Sequence, residues 1–262
     1  MRLALGLSYD GRSFAGWQSQ PSGNTVQDCL EAALSQIAAT PIRLIAAGRT
    51  DSGVHALGQV AHFDCTTIRP DSAWVRGTNA LLPESIAVQW ALPVAEEFNA
   101  RFSALSRRYV YVLYLHAVRP SLLAGQVGWY HAPLDLAAMR IAAKCLIGQH
   151  DFSAFRSSQC QAKTPVRTIS KVKIVETGPY CILDITADAF LHHMVRNIVG
   201  CLLYIGKGAH RAEWMTEILN GRDRRLAAPT IAPDGLYLAE VGYDARWNLP
   251  TFPRMMRWLD ID

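Results

Sequence analysis

The stretch Arg107-Arg108-Tyr109-Val110-Tyr111-Val112-Leu113-Tyr114-Leu115 constrains the chain more than any other segment. β-Branched and aromatic residues dominate it, and these favour a pleated strand. Alternation places Tyr109, Tyr111 and Leu113 on one face and Val110, Val112 and Tyr114 on the other, so neither face is polar. A strand apolar on both sides needs cover on both, which predicts a central place in a sheet. The chain can supply that cover. Its 262 residues are 50% apolar and 18% charged, enough for one large domain or two ordinary ones and too apolar for global disorder.

Other strands and helices follow from periodicity. Leu3, Leu5, Leu7 and Tyr9 alternate along an opening strand. Thr25-Val26-Gln27-Asp28 resembles a capping box with Asp in place of Glu, and Val26, Leu30, Ala33, Leu34 and Ile37 form a helical stripe behind it. Further strands are expected at 43–47, 58–64, 86–92, 168–176, 180–187 and 236–241. Helices are expected at 71–79, at 135–147 under an Asp135 cap, at 191–205 and at 211–219. Helices alternate with strands too rarely for a doubly wound parallel sheet. The pattern predicts an α+β fold of two mainly antiparallel sheets, each covered by helices on one face.

Charge divides the chain near residue 105. Residues 1–105 carry 7 Lys+Arg against 9 Asp+Glu, and residues 106–262 carry 19 against 13, so the net charge changes from −2 to +6. Two domains are therefore expected, 1–105 and a more basic 106–262. A basic half points to an acidic partner such as nucleic acid.

Several classes are excluded. No GxGxxG or GxxxxGK[ST] loop is present, so a nucleotide-phosphate cradle is not indicated. No GxSxG elbow or Cys–His nucleophile signature occurs. The six cysteines are scattered without a CxxC pair, which argues against a zinc ribbon or a disulfide framework. No apolar run approaches the roughly 18 residues of a membrane span. The opening residues lack a signal-peptide layout. A soluble, intracellular protein is expected.

The groups that could do chemistry are few. Gly48-Arg49-Thr50-Asp51-Ser52-Gly53-Val54-His55-Ala56 follows an apolar run and holds a cation two residues before a carboxylate. Asp, Ser and Gly also make an ordinary turn, so this stretch alone fits a turn or a reactive loop. Phe190 to Leu203 reads as a helix apolar nearly all round, with Arg196 in its middle. A buried guanidinium needs a partner. That partner is either a structural carboxylate in the second half or Asp51 across a cleft. His192 and His193 are adjacent and lack the i, i+4 spacing of a helical metal pair, so no metal site is expected there. His192 with Arg196, and His193 with Asn197, have the spacing of polar groups lining a cleft. Tyr109 and Tyr111 are either sheet packing or a platform for a base, with Arg107-Arg108 beside them for phosphate. Arg222-Asp223-Arg224-Arg225 reads as a solvated charge run.

Taken in order, these segments resemble the tRNA pseudouridine synthases of the A family. The resemblance is carried by Tyr9-Asp10-Gly11 through Gly16-Trp17-Gln18 and by Arg49-Thr50-Asp51-Ser52-Gly53-Val54-His55-Ala56. It continues through Asn79-Ala80-Leu81-Leu82-Pro83, Ala100-Arg101-Phe102-Ser103, Arg108-Tyr109-Val110-Tyr111 and Asp151-Phe152. Phe190 to Gly200 and Gly235-Leu236-Tyr237-Leu238 complete it. Two positions depart from the family pattern: Asn99 stands where His is expected and Ser52 where Ala is common. Both bear on local RNA contacts rather than on the reaction.

The resemblance implies two ferredoxin-like domains whose sheets join across a central active-site cleft. It implies isomerisation of uridine to pseudouridine at tRNA positions 38–40 in the anticodon stem-loop, with no cofactor and no metal. Asp51 matches the catalytic aspartate and Arg196 the arginine that pairs with it. Tyr109 matches the tyrosine that stacks on the target base, and Arg49 an arginine linked to flipping the nucleotide. Leu236 lies in the apolar motif beside the site. The family also implies a cytoplasmic homodimer with one tRNA reaching across both subunits. The competing classes are a non-catalytic RNA-binding module and a small-molecule enzyme using Asp51 as nucleophile; salt-sensitive tRNA binding separates the second from an RNA enzyme.

Overall fold

The structure, a computed structural model, describes residues 1–252. Ten strands are present there: β1 Arg2–Tyr9, β2 Ile45–Ala46, β3 His55–Asp64, β4 Ile86–Val94, β5 Ala104–Leu115, β6 Gly128–Tyr130, β7 Gly148–Asp151, β8 Val166–Thr177, β9 Tyr180–Ala187 and β10 Leu236–Tyr243. The α-helices are α1 Val26–Ala38, α2 Thr78–Leu81, α3 Leu136–Ala143, α4 Met194–Gly206 and α5 Trp214–Gly221. The fold is mixed α+β with mainly antiparallel pairing. The chain divides into two compact units, Met1–Ser106 with the stretch from Tyr237, and Arg107–Leu236.

In the first unit, β1 pairs antiparallel with both β3 and β4, and β10 joins β3 in parallel at Tyr237 and Leu238. The opening strand is buried on both faces, not on one; its second face carries the small residues Ala4, Gly6 and Ser8, and the Trp90 indole lies across Gly6. Gly6 stands opposite Trp90 on β4, and a Cβ at Gly6 would lie 2.1 Å from the indole. Glycine is what lets the ring lie across the strand. Thr25 caps α1 by accepting from the Asp28 amide at 3.2 Å. The shorter Asp28 side chain meets the Thr25 hydroxyl at 2.5 Å. The expected helix at 71–79 is uneven, a wide π-type turn over Ala73–Gly77 leading into α2.

In the second unit, the sheet runs β5-β9-β8-β7, antiparallel throughout, and short β6 lies parallel to β5 on its other side. The expected central strand is found: Tyr109 to Leu113 are all buried. Asp135 caps α3 by accepting from the Ala138 amide at 2.9 Å. Strands β6 and β7 were not expected; three and four residues are too short to show periodicity. Helix α4 starts at Met194 rather than 191 because His193 has φ +64, a left-handed conformation that ends the preceding turn.

Buried charge is handled inside β9. Asp184 is fully buried and takes hydrogen bonds from Arg108 Nε at 2.8 Å and Lys171 Nζ at 2.7 Å. Arg107 donates to the Asp188 carbonyl at 2.9 Å. The Arg107-Arg108 pair thus has structural partners within this unit.

Candidate active site

The candidate loop of the first unit, residues 48–54, enters β3 and is tied from behind at Gly48, Thr50 and Ser52. Gln59 Nε2 donates to the Gly48 carbonyl at 2.7 Å. Trp17 N donates to the Thr50 carbonyl at 3.0 Å. The Thr50 hydroxyl lies 2.8 Å from that of Tyr9, in a buried hydrogen bond. Burial pushes the Tyr9 phenol up to about 12, so it stays protonated at neutral pH. Val54 N donates to the Asp51 carbonyl at 3.1 Å, closing a turn that Gly53 completes at φ +78. The loop also needs close approach by the opening segment. Gly16 has φ +97, and a Cβ there would lie 2.8 Å from the Thr50 carbonyl.

Thr50 is therefore a buried anchor between two outward residues, exposed Arg49 and half-buried Asp51. The backbone here is a turn, closed by Val54 N on the Asp51 carbonyl, and it leaves the Asp51 side chain half-buried. Ser52 adds a tether, its Oγ donating to the Phe14 carbonyl at 3.1 Å. His55 is buried, stacked on Tyr237 with ring centroids 4.6 Å apart, and its Nδ1 accepts from Gly11 N at 3.2 Å. Asp10 Oδ1 is 3.2 Å from the same nitrogen. That nitrogen donates to Asp10 only when it carries a proton, and in that form it no longer accepts from Gly11 N. Burial alone would push the Asp10 carboxyl up, but hydrogen bonds from Arg12 outweigh it and hold it below the usual range.

Asn99 has a structural use. Its Oδ1 accepts from Arg101 N at 3.0 Å and Phe102 N at 3.1 Å, an Asx turn.

The second unit holds Tyr109, Arg196 and Leu236. Tyr109 meets Phe190 edge-on at 5.1 Å and 82°. Tyr111 is not part of an open platform: it is buried and donates its hydroxyl to the Ala232 carbonyl at 3.1 Å. Arg196 is half-buried, and its Nε donates to the Ile231 carbonyl at 2.8 Å. Buried Leu236 follows Gly235, whose carbonyl accepts from Val112 N on β5 at 2.8 Å. The segment 231–236 thus links α4 to β5, three residues from Tyr109. Within each unit the sequence-derived residues lie on connected elements: Arg49 with Asp51, and Tyr109 with Arg196 and Leu236.

Two expectations for α4 are corrected. His192 lies outside the helix, so it does not share a helical face with Arg196. Asn197 lines no cleft: it is fully buried, with Nδ2 donating to the Phe155 carbonyl at 2.7 Å and Oδ1 accepting from Arg224 and Thr230. Arg224 was missed as a functional candidate because a charge run gives no signal that one of its members turns inward.

A family model described as tRNA pseudouridine synthase matches residues 7–103 and 142–244. The chain belongs to that family. The matched segments take in Arg49, Asp51, Arg196 and Leu236, while Tyr109 falls between them. Similar proteins include tRNA pseudouridine synthase A of Paraburkholderia xenovorans, 59% identical over 95% of this chain and 92% of its own length. That of Burkholderia ambifaria is 54% identical over 100% and 99%. Among solved structures, an archaeal box H/ACA sRNP Nop10-Cbf5 complex aligns at TM-score 0.37 and 12% identity, covering 77% of this chain and 43% of that one.

Proposed function

We propose that this chain isomerises uridine to pseudouridine in the anticodon stem-loop of tRNA, at positions 38–40. The observation that carries the proposal is Asp51: a half-buried carboxylate in the family motif, on a loop whose neighbouring Thr50 is pinned beneath it. Membership of the family, and relatives named tRNA pseudouridine synthase A across nearly their whole length, support the substrate class.

In this reaction the bond from C1′ to N1 breaks, the uracil turns, and C5 bonds to C1′. The C5 proton leaves and N1 ends protonated, so nothing is oxidised or consumed. The uridine must first leave its stack, at a cost of a few kcal/mol. Exposed Arg49 is suited to occupy or stabilise the space left. Tyr109 would hold the flipped base against its ring, with Phe190 fixing that ring from the side. Asp51 supplies the carboxylate that acts on sugar or base. Arg196 would pair with that carboxylate and orient it. Leu236 contributes an apolar wall.

The reading places one cleft between two ferredoxin-like domains, with Asp51 and Arg49 from one and Tyr109, Arg196 and Leu236 from the other. It also assigns a homodimer in the cytoplasm. Among the described residues, no helix is long and apolar enough to cross a membrane. The basic balance of residues 106–262 supports an RNA partner. Incubating the protein with unmodified tRNA and mapping pseudouridine at single-nucleotide resolution tests the assignment; an unmodified anticodon stem-loop would refute it.

A further inference from the structure

The charge run 222–225 is not uniform. Arg225 is exposed and closes on its neighbour Asp223 at 2.6 Å. Exposed Arg222 lies 3.7 Å from Asp151. Arg224 instead turns inward, and its guanidinium donates to Asn197 Oδ1 at 3.1 Å, Thr230 Oγ1 at 3.2 Å and the Ala227 carbonyl at 3.2 Å.

We propose that Arg224 is a positioning residue for Arg196: it locks the segment 227–231 onto α4 so that the Ile231 carbonyl holds the Arg196 guanidinium in place. This rests on the reading that Arg196 serves the reaction.

Three observations converge. First, Arg224 bridges both ends of the segment, Ala227 and Thr230, and the Thr230 hydroxyl also donates to Asn197 Oδ1 at 2.6 Å. Asn197 follows Arg196 directly on α4. Its amide can take only one orientation, because Oδ1 receives two donors and Nδ2 gives to the Phe155 carbonyl. Second, the segment lies tight on the helix. Ala228 N donates to Cys201 Sγ at 3.3 Å, and a Cβ on Gly200 would sit 2.5 Å from the Pro229 carbonyl. Third, the next two carbonyls reach the residues that matter. Ile231 accepts from Arg196 Nε at 2.8 Å and Ala232 from the Tyr111 hydroxyl at 3.1 Å.

Arg224 thus controls where the Ile231 carbonyl stands. A fork of planar donors suits this bridge, and lysine cannot reproduce it, having one nitrogen for three acceptors.

The test uses Arg224→Lys and Thr230→Val, with Arg225→Ala as an exposed control. NMR on arginine-labelled protein follows solvent exchange of the Arg196 Nε–H, assigned by its loss in Arg196→Lys. The proposal expects exchange to speed up about 10-fold or more in Arg224→Lys and Thr230→Val, and not in Arg225→Ala. On tRNA, kcat should fall about 10- to 100-fold in both variants with KM little changed, since a displacement near 1 Å costs that much. Thr230→Val keeps the test valid if Arg224→Lys folds poorly. Unchanged Arg196 exchange in both variants would overturn the proposal, as would a raised KM with intact kcat and a shallower salt dependence, the mark of a phosphate contact. Full activity of Arg196→Ala would instead remove the catalytic reading, while the exchange data still report whether Arg224 holds Arg196.

Discussion

The hydroxyls of Tyr9 and Thr50 lie 2.8 Å apart, in a buried hydrogen bond that ties the C-terminal end of β1 to the residue just before Asp51. Replacing Tyr9 by Phe removes that partner without changing ring volume. The Thr50 hydroxyl is then buried and unmatched, at a cost of about 1–3 kcal/mol in urea denaturation. The loop also loses its anchor, so kcat should fall more than KM rises. A Tyr9→Phe, Thr50→Val double variant should cost less than the sum of the two singles; simple additivity would mean that the bond holds nothing.

In the second unit the fully buried Asp184 carboxylate meets two cations, Arg108 and Lys171. Asp184→Asn strips the charge that Arg108 and Lys171 face; both cations keep solvent contact, so the cost should be about 1–3 kcal/mol, that of weakened hydrogen bonds at a fully buried side chain. Lys171 is 43% exposed, and Lys171→Met should cost less than about 1 kcal/mol. Thermal or urea unfolding of the two variants gives the comparison. Equal losses would contradict the burial-based account.

His62 supplies a pH dependence. Burial, with the nearby Arg2 charge, pushes its imidazole down to about 4, and its Nδ1 accepts from Ala100 N at 3.1 Å. The folded state therefore keeps it neutral where the unfolded chain, near 6.5, takes up a proton. Its contribution is fully present above pH 6.5 and is lost as pH falls toward 4, by up to about 3 kcal/mol. His62→Asn keeps an acceptor for the Ala100 amide and removes the titration. Stability measured between pH 7 and 4 should fall less steeply in that variant; parallel slopes would exclude His62 as the source.

Cysteine reactivity should be selective. Burial raises the Cys160 thiol, but amides of Ala162 and His192 and the Arg156 cation outweigh it and leave the thiol below its usual range. Burial pushes Cys181 and Cys201 up to about 11. Alkylation near pH 8 followed by peptide mapping should label Cys160 well before those two. Equal rates would show that the amide contacts to the sulfur are not made.

Much of this was legible in the sequence, for identifiable reasons. The capped helices at Thr25 and Asp135 announce themselves through local chemistry, and β5 through its two apolar faces. Asp51 stood out only because other nucleophile signatures are absent and the motifs around it resemble a family; the loop by itself reads equally as an ordinary turn. What stayed hidden depends on long-range partners. Arg108 and Arg224 look like surface charge until Asp184 and Asn197 are seen beside them. The start of α4 was misplaced by three residues because a left-handed His193 leaves no trace in apolar periodicity. Strands of three or four residues, such as β6 and β7, are too short to carry a pattern.

The central claim is that Asp51 carries out the isomerisation of uridine in tRNA. The most direct measurement compares wild type, Asp51→Asn and Asp51→Ala on unmodified tRNA, with pseudouridine mapped along the anticodon stem-loop and unfolding midpoints recorded in parallel. The account predicts modification at positions 38–40 by wild type and none by either variant, with both variants still folded and still binding tRNA. Pseudouridine formed at undiminished rate by folded Asp51→Ala would contradict it.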